Sequence, residues 1–136
     1  MKIGLVSDSL GHLSFTQMLD TAARLGIAGV EINTANWTSA PHADLKQLLA
    51  DAGKRKEFHA AFKQRGLDLI ALNANGNQLH PTDGERQSEG VYDTIRLAGA
   101  VGVETVVLMS GLPEGAKGDT MPNWVDQEFV VNGPRE

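Results

Sequence analysis

Gly26-Ile27-Ala28-Gly29-Val30-Glu31-Ile32, Gly66-Leu67-Asp68-Leu69-Ile70-Ala71-Leu72 and Gly102-Val103-Glu104-Thr105-Val106-Val107-Leu108 share one pattern: glycine, apolar, two free positions, apolar, free, apolar. Each copy follows a stretch with helical periodicity. A glycine that closes a helix in the left-handed conformation and feeds a short β-branched strand is what a helix-to-strand junction requires, because glycine alone enters that region without a Cβ penalty. The copies are spaced by 40 residues (Gly26 to Gly66) and 36 (Gly66 to Gly102). That is a repeated β/α unit, and eight units need about 300 residues, the size of a closed eight-stranded barrel. The 136 residues here hold roughly half of that number.

Working outward, Lys2 to Val6 reads as strand one. Ser14 and Gln17 have capping-box spacing, with Leu13 placed to staple against Met18, and Phe15, Met18, Leu19 and Ala22 mark one helix face. Strand two ends at Ile32. A second helical region runs from about Asp44 to Arg65, with a kink or break expected at Gly53. Strand three spans Leu67 to Leu72, a third helix Gly84 to Val101, and strand four Val103 to Met109. The four glycines and three prolines after residue 110 exclude a helix of ordinary length there. The expected fold is α/β: a parallel (β/α) half-barrel, βαβαβαβ with strand order 1-2-3-4, over residues 1–110, plus an irregular Gly/Pro-rich tail, 111–136, that is not an independent domain.

Right-handed crossovers put all helices on one face of such a sheet. Val30 and Ile32, Ile70 and Leu72, Val106 and Leu108 are expected to face them, with Glu31, Ala71 and Val107 on the other face. In a full barrel that second face is the packed interior. Here it is expected to be open, with two unpaired edges, and to be covered by a second copy, a separate partner or the tail.

A formal charge of −5 without a basic run argues against nucleic acid. The hydrophobic content of 41% and charged content of 21% are those of a globular chain. The apolar run Ile3 to Val6 is too short for a membrane span or a signal core, so a cytoplasmic protein without membrane contact is expected. Cysteine is absent, which excludes disulfides and thiolate metal sites.

Ligands of parallel β/α folds bind where the strands end. Those loops hold Ser7, Asp8, Ser9 and His12; Asn33, Asn36, Trp37 and His42; Asn73, Asn75, Asn77 and His80; and Ser110. Asp8 and Ser7 fit either a turn or a substrate contact. Asn75-Gly76 fits a turn or a ligand site, and Trp37 a sugar-stacking platform or a lid over the core. His42 beside Pro41 reads as solvated loop and His59 as helix surface. Glu31 is the oddity: a carboxylate in an apolar row needs a partner or water, which favours a polar barrel interior near the active face. No phosphate-binding loop, nucleophile elbow or dinucleotide fingerprint is present.

The stretch Asn73 to Pro81, then Leu108-Met109-Ser110-Gly111-Leu112-Pro113 and Pro122-Asn123-Trp124-Val125, with the opening Met1 to Asp8 and the Gly29-Val30-Glu31-Ile32 strand, resembles the N-terminal half of the sugar phosphate isomerase/epimerase family, the xylose-isomerase-like TIM barrels. The resemblance covers about residues 1 to 125. It implies a divalent metal (Mn, Mg, Co or Zn), a proton moved beside a carbonyl through an enediolate, and carboxylates on later strands as acid and base. It also implies that His80 and its neighbouring asparagines line a sugar pocket walled by Trp37 and Trp124.

The candidate substrate-binding set is therefore Asp8, Glu31, Asn33, Trp37, Asn75, Asn77, His80, Ser110 and Trp124, for a small sugar or polyol. No catalytic residue and no metal ligand is assigned, because the family's ligands belong to strands five to eight. A truncated, weak or inactive isomerase is the leading expectation. The alternatives are a non-catalytic binding or assembly module completed by self-association, a homo-oligomer in which a second copy covers the open face, or else an open flavodoxin-like domain. The last expects an aspartate where Asn73 stands.

Overall fold

A computed structural model describes residues 1–123. β1 (Gly4–Val6) passes through a 3-10 turn (Ser7–Leu10) into α1 (Phe15–Arg24). There follow β2 (Gly29–Asn33), α2 (Leu45–Ala50), α3 (Ala52–Lys63), β3 (Asp68–Asn73), α4 (Gly84–Val101) and β4 (Val106–Val107). The strands form one parallel sheet in the order 1-2-3-4. The three junction glycines have φ of 72°, 66° and 72° at Gly26, Gly66 and Gly102, the left-handed turn that the repeated pattern requires.

α1 opens on the capping box: Gln17 N–H donates to Ser14 Oγ at 3.3 Å, and Ser14 N–H to Gln17 Oε1 at 3.1 Å. Ser14→Ala is expected to lower stability by about 1 kcal/mol in urea unfolding, the ordinary worth of such a cap.

The second helical region breaks at Asp51, two residues before the expected Gly53. Asp51 is extended (φ −120°, ψ 111°), and its Oδ1 accepts from Gly53 N–H at 2.7 Å and Lys54 N–H at 3.0 Å. The chain breaks where a side chain can cap the next helix. These two backbone bonds, Lys54 first, hold the Asp51 carboxyl below its ordinary value of 3.8. A carboxyl depressed in the folded state adds stability that is present above its unfolded pKa and lost as pH falls through the folded one. Urea midpoints of the wild type should therefore fall more steeply on acidification, between about pH 5 and pH 2, than those of Asp51→Asn, whose amide oxygen caps without titrating. Parallel acid limbs would contradict this.

One core lies between the sheet and its helices. Met18, Leu19 and Ala22 of α1, Leu48 of α2, Phe58 and Phe62 of α3, and Leu97 and Ala98 of α4 close over Val30, Ile32 and Leu72. Phe15 stacks on Phe58 with ring centroids 5.1 Å apart, and Phe62 meets Phe58 edge-on at 5.3 Å.

The inner face departs from the repeat at two places. Val30 pairs with Leu69 rather than Ile70, and a bulge restores the register so that Glu31 pairs with Ala71 and Asn33 with Asn73. Ile70, expected under the helices, lies instead on the opposite face and is 45% exposed. Gly4 and Gly29 face one another across β1 and β2 and leave a hollow that Ile70 fills. A Cβ on Gly29 would overlap Ile70 Cγ2, and one on Gly4 would stand 2.9 Å from Ile70 Cδ1. Leu108, also expected under the helices, is 44% exposed because β4 pairs only through Val106 and Val107. Val107 pairs with Asn73, two residues along β3 from Ala71, and so keeps the expected face.

Candidate functional site

The ends of β1, β2 and β3 bring two carboxylates and two amides together. Asn73 Nδ2 donates to Glu31 Oε1 at 2.5 Å, and Asn73 Oδ1 accepts from Asn75 N–H at 2.8 Å. Alongside, Asn33 Nδ2 donates to Asp8 Oδ2 at 2.8 Å, and Thr38 Oγ1 donates to Asp8 Oδ1 at 2.9 Å. Asn33 is tied further by its backbone N–H, which donates to Ser7 Oγ at 3.2 Å. Glu31, odd in an apolar row, thus has its partner 42 residues away.

A carboxylate only accepts, so each asparagine must turn its NH₂ toward it. That fixes both amides. The consequence at Asn33 is a buried Oδ1 without a partner among the described residues. The patch therefore holds two acceptors, Asn33 Oδ1, which is shielded from solvent, and the second oxygen of Glu31, and a hydroxyl or N–H group is the complementary donor.

The other expected residues fall into two groups. Trp37 is 52% exposed on the loop after β2, and its backbone N–H donates to the Asn75 carbonyl at 3.0 Å. Asn75 thus joins the loops after β2 and β3 beside the patch. His80 Nδ1 accepts from Thr82 N–H at 3.2 Å, which leaves Nε2 as the protonated nitrogen of the neutral ring. Ser110 is exposed at the end of the β4 segment.

Asn77 is committed elsewhere. Its Oδ1 accepts from Leu79 N–H and Leu112 N–H, its Nδ2 donates to the Leu112 carbonyl, and its backbone N–H donates to Gln87 Oε1. It is 1% exposed and splints the loops after β3 and β4. Trp124 lies outside the described residues.

His42 is corrected by the structure. It is 4% exposed rather than solvated, because Nε2 docks on the Leu13 carbonyl at 3.0 Å and draws the ring under the entry to α1.

Several groups that shape the site carry no signal in the sequence. Thr34 Oγ1 donates to the Asn73 carbonyl at 2.9 Å and meets Thr94 Oγ1 of α4 at 2.8 Å, so a buried pair of threonines fixes the strand end. Gln87 of α4 accepts from Asn77 and donates to Asp83. Arg86 grips Asp83 and, with Gln87, holds its carboxyl below the ordinary range. A helical glutamine reads as surface until the loop that folds onto it is known.

The family resemblance implies a divalent metal, and the side chains do not fit one by themselves. Among the described residues no three His, Cys, Asp or Glu side chains come together as a ligand set, and Asp8 and Glu31 are each engaged by an asparagine. Among those residues, too, no helix is long and apolar enough to cross a membrane.

Comparison with known proteins agrees with this architecture. A family model described as a xylose isomerase-like TIM barrel matches residues 19–130. The chain is 47% identical over 135 residues to the uncharacterized protein YfiH of Bacillus subtilis (strain 168), covering 98% of this chain and 42% of that protein. It superposes on a probable 3-DHS dehydratase, AsbF, involved in petrobactin synthesis in Bacillus anthracis, with a TM-score of 0.58, 19% identity, and 82% of this chain on 39% of that one. It also superposes on a xylose isomerase domain containing protein of Salmonella typhimurium LT2, with a TM-score of 0.56, 18% identity, and 88% on 39%. At these identities the structural likeness is one of fold. The chain spans about two fifths of the length of each of these proteins.

Proposed function

The chain belongs to the xylose isomerase-like TIM barrel family, and from that premise we propose that it supplies the first half of a sugar-binding barrel mouth, in a protein that isomerises or epimerises sugars or sugar phosphates. The observation that carries the proposal is the Asp8–Asn33 and Glu31–Asn73 patch at three adjacent strand ends. Its free valences are acceptors, held rigidly by strand register, which is how a polyol's hydroxyls are bound and oriented. Asn75 adjoins it through Asn73 Oδ1 and Trp37 through the Asn75 carbonyl, Asn77 keeps the loops in place, and His80 and Ser110 belong to the same strand-end loops as further candidate contacts.

The proton shift beside a carbonyl, with its metal and its acid/base pair, is not built from these residues. Their part is to bind and orient. The chain alone, given Mn²⁺, Mg²⁺ or Co²⁺, is expected to show no aldose–ketose turnover, and clear turnover by the pure polypeptide would contradict that division of labour.

The binding claim is tested by amide NMR during titration with D-xylose and with xylitol. Shifts concentrated at Glu31, Asn33, Asn73 and Asn75 are expected. Shifts confined to the helix face, or none near the millimolar range typical of incomplete sites (Kd of about 1–10 mM), would overturn it.

One observation favours a second reading, a homodimer that covers the inner sheet face. Val6 is 40% exposed and Ile70 45%, beside strand edges left unpaired among the described residues. Size-exclusion chromatography decides it: a compact monomer at all concentrations would remove this reading.

A further inference from the structure

We infer that the groove between α3 and the end of α4, about 530 Å³ in volume, is a docking site for a short acidic segment of a partner protein. Arg55, Lys56, His59 and Lys63 line it together with small apolar groups such as Ala60 and Ala100, and no acidic side chain does. Helices of this chain bound it on both sides, and none of Asp8, Glu31, Asn33 or Asn73 takes part in it. It is separate from the strand-end patch.

The positive charge of the groove is not spent within the chain. Lys54, which does not line it, is paired with Glu57 at 2.9 Å. Lys56, His59 and Lys63 have no ion pair and no side-chain hydrogen bond among the described residues. Arg55 Nη1 donates to the carbonyls of Leu48 at 2.7 Å and Leu49 at 2.9 Å. Those bonds fix the guanidinium without neutralising it, and they leave Nε and Nη2 as oriented donors for an oxyanion.

The place of these cations on the helix is unfavourable for the helix itself. Lys54, Arg55 and Lys56 lie within about the first turn and a half of α3, where the partial positive charge of the helix end disfavours cations, and the first turn holds no acidic residue. Glu57 offsets Lys54 and the two α2 carbonyls hold Arg55. Lys56 has neither. A local rule broken without compensation inside the fold marks a position kept for function.

The shape selects the occupant. No residue that lines the groove is buried, so it is too shallow to enclose a small molecule as ligand pockets do. Lys56 and Lys63 stand about 10 Å apart along the helix axis, the span of about three residues of extended chain. An extended segment with several carboxylates meets both ends and rests its small groups on Ala60 and Ala100. Fields are screened beyond about 10 Å at 0.1 M salt, so such a segment meets these basic groups alone. A long phosphate backbone also meets the rest of a chain with a formal charge of −5.

The test uses the full chain and fluorescein-labelled hexaglutamate at constant, low ionic strength. Anisotropy of the label is expected to rise on titration, with amide NMR shifts concentrated at Lys56, His59, Lys63 and Ala100. Lys56→Glu combined with Lys63→Glu, both exposed, should weaken binding at least about tenfold. Lys2→Glu combined with Lys46→Glu makes the same charge change at two exposed positions outside the groove and should leave the affinity within about twofold. Lys56→Glu alone, a change that the helix dipole favours, should keep the wild-type urea midpoint or raise it while weakening binding at least about threefold. No binding of hexaglutamate, shifts away from the groove, an equal loss in the two double variants, full binding by Lys56→Glu, or a thymidine dodecamer bound more tightly than hexaglutamate would each overturn the inference.

Discussion

Asn73→Asp is expected to lower stability by about 2–3 kcal/mol at neutral pH, from the loss of a buried hydrogen bond and the confrontation of two carboxylates, and to lose most of that deficit in mild acid. Asn73 is 3% exposed and its NH₂ stands 2.5 Å from Glu31 Oε1. An aspartate there offers an acceptor where a donor stood, so the two carboxyls can coexist at short range only by sharing a proton. The pair's folded pKa then lies above its unfolded value. A group raised in this way favours folding below its unfolded pKa and ceases to do so as pH rises through the folded one. Urea midpoints should therefore show the variant close to the wild type near pH 4 and well below it near pH 7. Asn73→Ala loses the same bond without adding a charge and should show a deficit with no acid rescue. An Asn73→Asp protein with the same deficit at both pH values would mean that the introduced carboxyl and Glu31 do not meet, and the strand-end patch would lose its centre.

Phe62→Ala carries the larger expected cost, about 3–5 kcal/mol, because a fully buried aromatic leaves both its transfer energy and a cavity behind. Phe62 is 1% exposed, touches both Phe58 and Phe15, and lies in the cluster with Ile32 and Leu72. Set against a domain stability of roughly 5–15 kcal/mol, that loss should abolish or greatly shorten the folded baseline in urea. Phe62→Leu, which keeps most of the volume, should cost clearly less. A Phe62→Ala protein within about 1 kcal/mol of wild type would show that the helices do not close on the sheet as described.

The readable parts of this fold are those in which one residue type answers one local demand. Gly26, Gly66 and Gly102 sit where the backbone needs positive φ, Ser14 and Gln17 satisfy each other at a helix start, and α4 spans the Gly84 to Val101 that its periodicity marks. Glu31 is conspicuous for the same reason, a charge among apolar neighbours.

What is not readable depends on facing elements distant in sequence. The apolar alternation around Ile70 gives no sign that two glycines oppose each other on β1 and β2, and without that hollow Ile70 belongs under the helices. Pro41-His42 looks solvated until the Leu13 carbonyl, 29 residues away, is found against the ring. Asn75 and Asn77 are alike in sequence, yet one flanks the strand-end patch while the other is consumed by the backbone of Leu79 and Leu112. An asparagine's type says what it can bond, and only the fold says to what.

The claim on which all of this depends is that β1 to β4 lie parallel in chain order, so that Asp8, Glu31, Asn33 and Asn73 leave the sheet at the same end. Inter-strand NOEs on the isotope-labelled chain test it directly. Parallel cross-strand contacts should join Val6 to Glu31, Glu31 to Ala71, Asn33 to Asn73, and Asn73 to Val107. Close Hα–Hα contacts of antiparallel type between any of these strands, or contacts placing β3 beside β1, would contradict it.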